Sequence, residues 1–201
     1  MDDLDKMYLD SQPDGRTVIE TGRLVIRELV RKNAAELISV LDRIPESDSI
    51  FGSEFSGLFT GYRDFCRASA ADPKETETLQ TDAPETLAGS LIAGDISDQY
   101  RFFGYGLWGI FPKAGSDRSM IGLTGLKNGS ASQTGEICYC MVPEVRRQGY
   151  AYEACLAVIK YARECGFTAL EARTSASNLP SLCLLDKLNA SGSMKISTLF
   201  C

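Results

Sequence analysis

The hydrophobic pattern changes period between Glu136 and Gly166. Glu136 to Val142 is a compact run rich in Ile, Tyr, Val and Cys, stopped by Pro143, which fixes φ and cannot donate to a ladder. The pattern predicts a strand that ends there. Beyond a basic turn around Gly149, residues Ala151, Ala154, Cys155, Val158, Ile159 and Ala162 recur at helical spacing. Glu153, Lys160, Arg163 and Glu164 fall on the other faces. A helix is therefore predicted from close to Tyr150 to Gly166, a glycine suited to the left-handed closing position.

Upstream, residues 1–15 carry Asp2, Asp3, Asp5, Asp10 and Asp14 with little to bury, which predicts a flexible acidic tail. Arg16 to Val30 reads as the first strand, with Leu24 and Ile26 on one face and Val25, Arg27 and Leu29 on the other. Asn33 with Glu36 forms a capping-box pattern before the apolar stripe Leu37, Ile38, Leu41 and Ile44, and Pro45 interrupts that helix. Periodicity is weaker from Glu46 to Gln99. A short helix is predicted over Tyr62 to Ala70 and another between Pro84 and Tyr100, separated by the polar loop Asp72 to Ala83. Tyr105 to Phe111, Met120 to Leu126 and Glu136 to Val142 then read as an antiparallel meander. After Gly166, Leu170, Ala172 and Thr174 alternate with Ala169, Glu171 and Arg173, a strand expected to run parallel to its predecessor with a right-handed crossover. A last helix is expected from Pro180 to about Leu188.

With 201 residues, 44% of them hydrophobic, the chain suits one domain over 16–201. No apolar run is long enough to span a bilayer, and the N-terminus lacks a secretory pattern, so a cytoplasmic protein without a membrane partner is expected. None of the seven cysteines forms a CxxC pair, and they read as small buried hydrophobes in a reducing compartment. There is no histidine. Ser-His and Cys-His catalysis are excluded, no metal site is expected, and any general base must be a carboxylate, Tyr, Cys, Lys or water. A net charge of −6 without a basic cluster argues against nucleic acid as a partner. Acidic residues dominate between Asp42 and Asp98, which fits either a wall for a cationic acceptor or plain solubility.

The turn after Val142 carries the candidate chemistry. A strand that enters a helix N-terminus through a glycine leaves backbone N–H groups unpaired at the positive end of the helix dipole, where phosphate binds. Gly149 and Ala151 allow close approach, and Arg146 and Arg147 add charge. An ordinary turn with solvated arginines fits the same spacing, and both readings stay open on spacing alone.

Arg146-Arg147-Gln148-Gly149-Tyr150-Ala151 resembles the R/Q-x-x-G-x-G/A acetyl-CoA signature of the GNAT acetyltransferase superfamily. Thr21-Gly22-Arg23-Leu24-Val25-Ile26-Arg27 resembles the T-E-R-L-x-L-R first strand of its RimJ/RimL branch, the ribosomal-protein N-terminal acetyltransferases. Gly149-Tyr150-Ala151-Tyr152-Glu153-Ala154 is similar to that branch's G-Y-A-T-E-A. Asn178-Leu179-Pro180-Ser181 and Leu185-Asp186-Lys187-Leu188 resemble its N-x-x-S and L-E-K-L segments. The resemblance spans roughly residues 17 to 190 and implies a three-layer mixed α/β fold. Its central twisted sheet would be mostly antiparallel, with a parallel, splayed central pair and helices on both faces.

The resemblance further implies an acetyl-CoA-dependent N-acetyltransferase working by direct transfer to a primary amine, either a protein N-terminus or a small molecule. Arg146, Arg147, Gln148, Gly149, Tyr150, Ala151 and Tyr152 would hold the pyrophosphate. Met141 and Val142 would pair with the pantetheine arm, with Asn178 and Ser181 across it. Tyr152 replaces the usual Thr of the turn. Glu136 matches the catalytic glutamate of related members and is the candidate base, working through water, although a strand-end carboxylate facing solvent fits its position equally. The usual acid, a Tyr, falls at Leu185, which leaves Ser181 as the candidate donor and Tyr139 and Cys183 as weaker ones. An amine needs its proton removed before attack, and a backbone N–H near Val142 could hold the oxyanion. The family's K-L-G-F becomes Lys187-Leu188-Asn189-Ala190, followed by room for one strand where a closing pair is expected. That departure motivates two further expectations: an open sheet edge suited to homodimerisation, and, as the alternative function, a catalytically inactive CoA-binding protein.

Overall fold

A computed structural model describes residues 14–44, 88–89, 92–115 and 118–200. Residues 1–13 of the predicted acidic tail, the helix over 62–70 and the loop 72–83 lie outside them.

Among the described residues the sheet has seven strands in chain order: β1 (Thr17–Glu20), β2 (Leu24–Glu28), β3 (Leu107–Pro112), β4 (Gly122–Asn128), β5 (Thr134–Met141), β6 (Ala169–Thr174) and β7 (Ile196–Phe200). Strands β1 to β5 pair antiparallel. The last three are parallel. The long stretches between them hold helices, as parallel neighbours require. Helix α1 is Ala34–Arg43, α2 is Ser97–Phe103, α3 is Tyr150–Glu164 and α4 is Leu179–Ala190.

Strand alternation distributes the core between two faces. Ile137, Tyr139 and Met141 join Ala154, Cys155, Val158 and Ile159 of α3 and Leu185 and Leu188 of α4. Cys138, Cys140 and Val142 face the other way, toward Leu37, Val40 and Leu41 of α1 and Ile92 and Ile96 before α2. This is the three-layer mixed sheet that the motifs implied. It has two parallel pairs, because β7 lies directly beside β6.

Three local expectations differ. The stretch 16–30 is a hairpin and not one strand. Thr21 Oγ1 accepts the Leu24 amide at 2.9 Å, and the Thr21 amide donates to the Leu24 carbonyl at 3.0 Å, so the hydroxyl builds a turn that breaks the strand. Asn33 does not cap α1 from its side chain. Its Oδ1 accepts the Val30 amide at 3.0 Å while Nδ2 donates to Glu36 at 2.8 Å, so the pair secures the 3-10 turn Arg31–Asn33 instead. Among the described cysteines, Cys138, Cys140 and Cys155 are buried, but Cys165 and Cys183 are at the surface.

α3 follows its prediction closely. Gly166, at φ +91°, donates to Arg163, and Phe167 donates to Ala162, closing the helix in the left-handed manner. Among the described residues, no helix is long and apolar enough to cross a membrane.

Candidate active site

The site begins where a ladder stops. β5 and β6 pair only at Thr134 with Ala169, Gly135 with Leu170 and Glu136 with Glu171; beyond that level the strands part. β5 continues to Met141 and β6 to Thr174. Backbone groups alternate in direction along a strand. The Val142 amide points to β4, donating to Ile121 at 3.0 Å. The amides of Tyr139 and Met141 therefore point the other way, into the gap. The Met141 carbonyl is held by Arg146 Nε at 2.9 Å.

At the mouth of the gap lies the turn into α3. Arg147 has φ +64° and Gly149 has φ +83°, two left-handed positions that curl the chain before Tyr150. The first helical hydrogen bond runs from the Glu153 amide to the Gly149 carbonyl at 3.0 Å, so the amides of Tyr150, Ala151 and Tyr152 precede the ladder. Arg147, Gln148 and Gly149 are exposed, while Tyr150, Ala151 and Tyr152 are half-buried.

The β1–β2 turn clamps this feature. Glu153 Oε1 accepts from the Thr21 hydroxyl at 2.6 Å and the Arg23 amide at 2.9 Å, and Oε2 accepts from Arg23 Nε at 2.6 Å. Arg23 also donates through Nη1 to the Gln148 carbonyl at 3.0 Å, and its guanidinium lies 4.4 Å from the Tyr150 ring centre. Partial burial pushes the Glu153 carboxyl upward, but the Thr21 hydroxyl and the Arg23 amide and guanidinium outweigh it and hold the carboxyl below its ordinary value.

On the α3–α4 face of the gap, Tyr139 Oη lies 2.7 Å from Ser181 Oγ, and both residues are buried. Burial, then the Cys155 thiol, push the Tyr139 phenol well up, and the Ser181 hydrogen bond only partly opposes them. Asn178 caps α4, its Oδ1 accepting the Ser181 amide at 3.2 Å. Asn178 thus positions the serine. Cys183 is exposed on the same helix.

Glu136 belongs to the opposite face, alternating with Cys138 and Cys140. It is 3% exposed, and its oxygens lie 3.4 Å from Lys127 Nζ and 3.0 Å from Arg173 Nε. It is therefore not the strand-end carboxylate facing solvent, one of the two readings its sequence position allows. It sits three residues below Tyr139 on β5, about 10 Å along the strand.

The model of the "Acetyltransferase (GNAT) domain" family matches residues 62–191, more than half of the chain. The chain belongs to the GNAT acetyltransferase family. Structures similar to this acetyltransferase include a GNAT-family acetyltransferase from Bacillus anthracis, with TM-score 0.53, 17% identity and coverage of 85% of this chain and 81% of the other. RimL, the ribosomal L7/L12 α-N-protein acetyltransferase, gives TM-score 0.55 at 11% identity, covering 86% and 78%. The microcin C7 self-immunity acetyltransferase MccE, in complex with acetyl-CoA and AMP, gives 0.51 at 12%, covering 83% and 78%. No curated protein matches the sequence.

The geometry of this acetyltransferase fits a phosphate-bearing donor with a long, amide-containing arm. The left-handed Gly149 brings backbone amides to the surface at the α3 N-terminus, and the parted strands leave the Tyr139 and Met141 amides facing a gap. Arg146 is drawn back onto the Met141 carbonyl, which links the turn to the end of β5. Sequence reasoning missed Thr21, Arg23 and Glu153 as one cluster. Their motifs stood out separately, but nothing along the chain couples residues 130 positions apart.

Proposed function

We propose that this acetyltransferase moves an acetyl group from acetyl-CoA to a primary amine by direct transfer, the acceptor being a protein N-terminus or a small-molecule amine. The observation that carries the reading is the gap between β5 and β6, flanked by the left-handed Gly149 turn and lined by the Tyr139–Ser181 hydroxyl pair. Bound acetyl-CoA would supply the acetyl group as a thioester.

The amides of Tyr150, Ala151 and Tyr152, with Arg147 and Gln148 around Gly149, hold the pyrophosphate. Arg146 supports them from behind through Met141. The amides of Tyr139 and Met141 pair with the arm, as Val142 closes the strand above them. The acceptor approaches from the side of the sheet that carries Glu136. Its nitrogen forms the new C–N bond as the C–S bond breaks.

The amine proton passes through water to Glu136, which the cations Lys127 and Arg173 hold in place. Ser181 Oγ donates a hydrogen bond to the departing sulfur while accepting one from Tyr139. A thiol near pKa 8.5 leaves readily, so this assistance is modest. RimL, similar in fold, is an α-N-protein acetyltransferase, which supports keeping a protein N-terminus among the acceptors.

The test is incubation with acetyl-CoA and a panel of peptides with free N-termini, polyamines and aminoglycosides, read by mass. A product one acetyl group heavier, reduced at least tenfold by Glu136→Gln, is expected. Hydrolysis of acetyl-CoA without any acetylated amine across the panel would refute direct transfer to amines.

A further inference from the structure

Thr174 ends β6 with its hydroxyl fully buried, and among the described residues Oγ1 has no hydrogen-bond partner. Buried hydroxyls without partners are rare in folded proteins, because the lost hydration is not replaced. The other buried side-chain atoms in this condition among the described residues belong to Arg27, Gln99 and Trp108, on β2, α2 and β3, none of them on β5 or β6.

Thr174 lies at the level where β5 and β6 have parted. Glu136 is level with Glu171 in the last paired register, so three residues further on Tyr139 and Thr174 face each other across the parted strands. Thr174 alternates with Arg173 and follows Leu170 and Ala172 onto the α3–α4 face, the face of Tyr139 and Ser181. In an unbroken parallel ladder this level would be filled by strand pairing. Here β5 turns the Tyr139 amide toward β6, and β6 carries the Thr174 hydroxyl on the α3–α4 side of the same level.

We infer that Thr174 is a donor-binding residue whose hydroxyl hydrogen-bonds an amide of the ligand arm lying between β5 and β6. The inference rests on the proposed acetyl-CoA reading and adds a contact on the β6 wall. The orphaned hydroxyl is the cost carried by the free protein, and the arm removes it. Loss of the hydroxyl should therefore act in opposite directions on stability and on binding. A threonine with a purely structural hydrogen bond would lose both.

The experiment compares the parent, Thr174→Val and Thr174→Ser by calorimetric titration with CoA, acetyl-CoA and adenosine 3′,5′-bisphosphate, and by thermal melting without ligand. Valine keeps the shape and removes the hydroxyl, so the ligand-free midpoint should rise by about 2–4 °C. Its Kd for CoA and for acetyl-CoA should rise alike, about 3- to 10-fold. Adenosine 3′,5′-bisphosphate, which lacks the arm, should bind parent and variant equally. Serine keeps the hydroxyl and should retain the parent affinity. Equal CoA affinity in parent and Thr174→Val would overturn the inference, as would a lowered midpoint in valine or a penalty confined to acetyl-CoA. Failure of the parent itself to bind CoA would instead sink the donor reading on which the inference stands.

Discussion

Arg23 Nε and Glu153 Oε2 meet at 2.6 Å, joining the β1–β2 turn to the first turn of α3. The same guanidinium holds the Gln148 carbonyl and stacks on Tyr150, so one side chain fixes three parts of the turn into α3. Side chains of both partners are partly exposed, which limits the pair's strength. A double-mutant cycle with Arg23→Ala and Glu153→Ala, read by denaturant unfolding, should give a coupling of about 0.5–1.5 kcal/mol. Each single variant should also weaken acetyl-CoA binding several-fold by loosening the turn.

The depressed Glu153 carboxyl gives a pH signature. A carboxyl held below its unfolded value contributes stability above the ordinary glutamate range, near pH 4.3, and loses it as pH falls through the folded value. The parent should therefore exceed Glu153→Gln in thermal midpoint by a constant margin above about pH 5, and that margin should shrink as pH drops below about 4. Melting curves across this range check the sign; a margin that widened toward acid would contradict it.

In the proposed reaction Tyr139 and Ser181 act on the transfer step more than on donor binding. Tyr139→Phe and Ser181→Ala should lower kcat by about tenfold, the scale of a hydrogen bond that matters at the departing sulfur. The Kd for acetyl-CoA should change less than twofold. Tyr139→Phe leaves the Ser181 hydroxyl buried without its partner and should cost about 1 kcal/mol of stability. Steady-state kinetics beside calorimetric binding separates the two effects.

Gly149→Ala tests the left-handed turn against a matched control. A Cβ at Gly149 would lie 3.4 Å from Arg23 Nη2, an ordinary contact, so the cost is the φ of +83°. Gly166, at φ +91°, has open space around its missing Cβ. Both alanine variants should lose about 1 kcal/mol of stability. Only Gly149→Ala should weaken acetyl-CoA binding, because in the proposed donor site only that turn presents amides to the ligand.

Much of this site could be read from the chain because its parts are local. The strand from Glu136 to Val142, the turn at Gly149 and the helix to Gly166 lie within one stretch, where Pro143, Gly149 and a period of 3.6 each act on their neighbours. The hairpin at Thr21 was hidden because Leu24 to Glu28 continues the apolar alternation across a turn made by one hydroxyl. Ser181 and Asn178 were found through their motif, but the pairing of Ser181 with Tyr139 depends on how α4 crosses β5. The ion pairs of Glu136 likewise need β4 and β6 on either side. The facing of Thr174 and Tyr139 depends on the two strands parting after Glu171, and no single-chain pattern records where a ladder stops.

The most direct measurement is an amide-resolved NMR titration of the full chain with acetyl-CoA. The account predicts saturable shifts concentrated at Gly149, Tyr150, Ala151 and Tyr152 and at Tyr139 and Met141, with β1 to β3 largely still. No saturable shifts, or shifts centred away from the α3 turn and the β5–β6 gap, would contradict it.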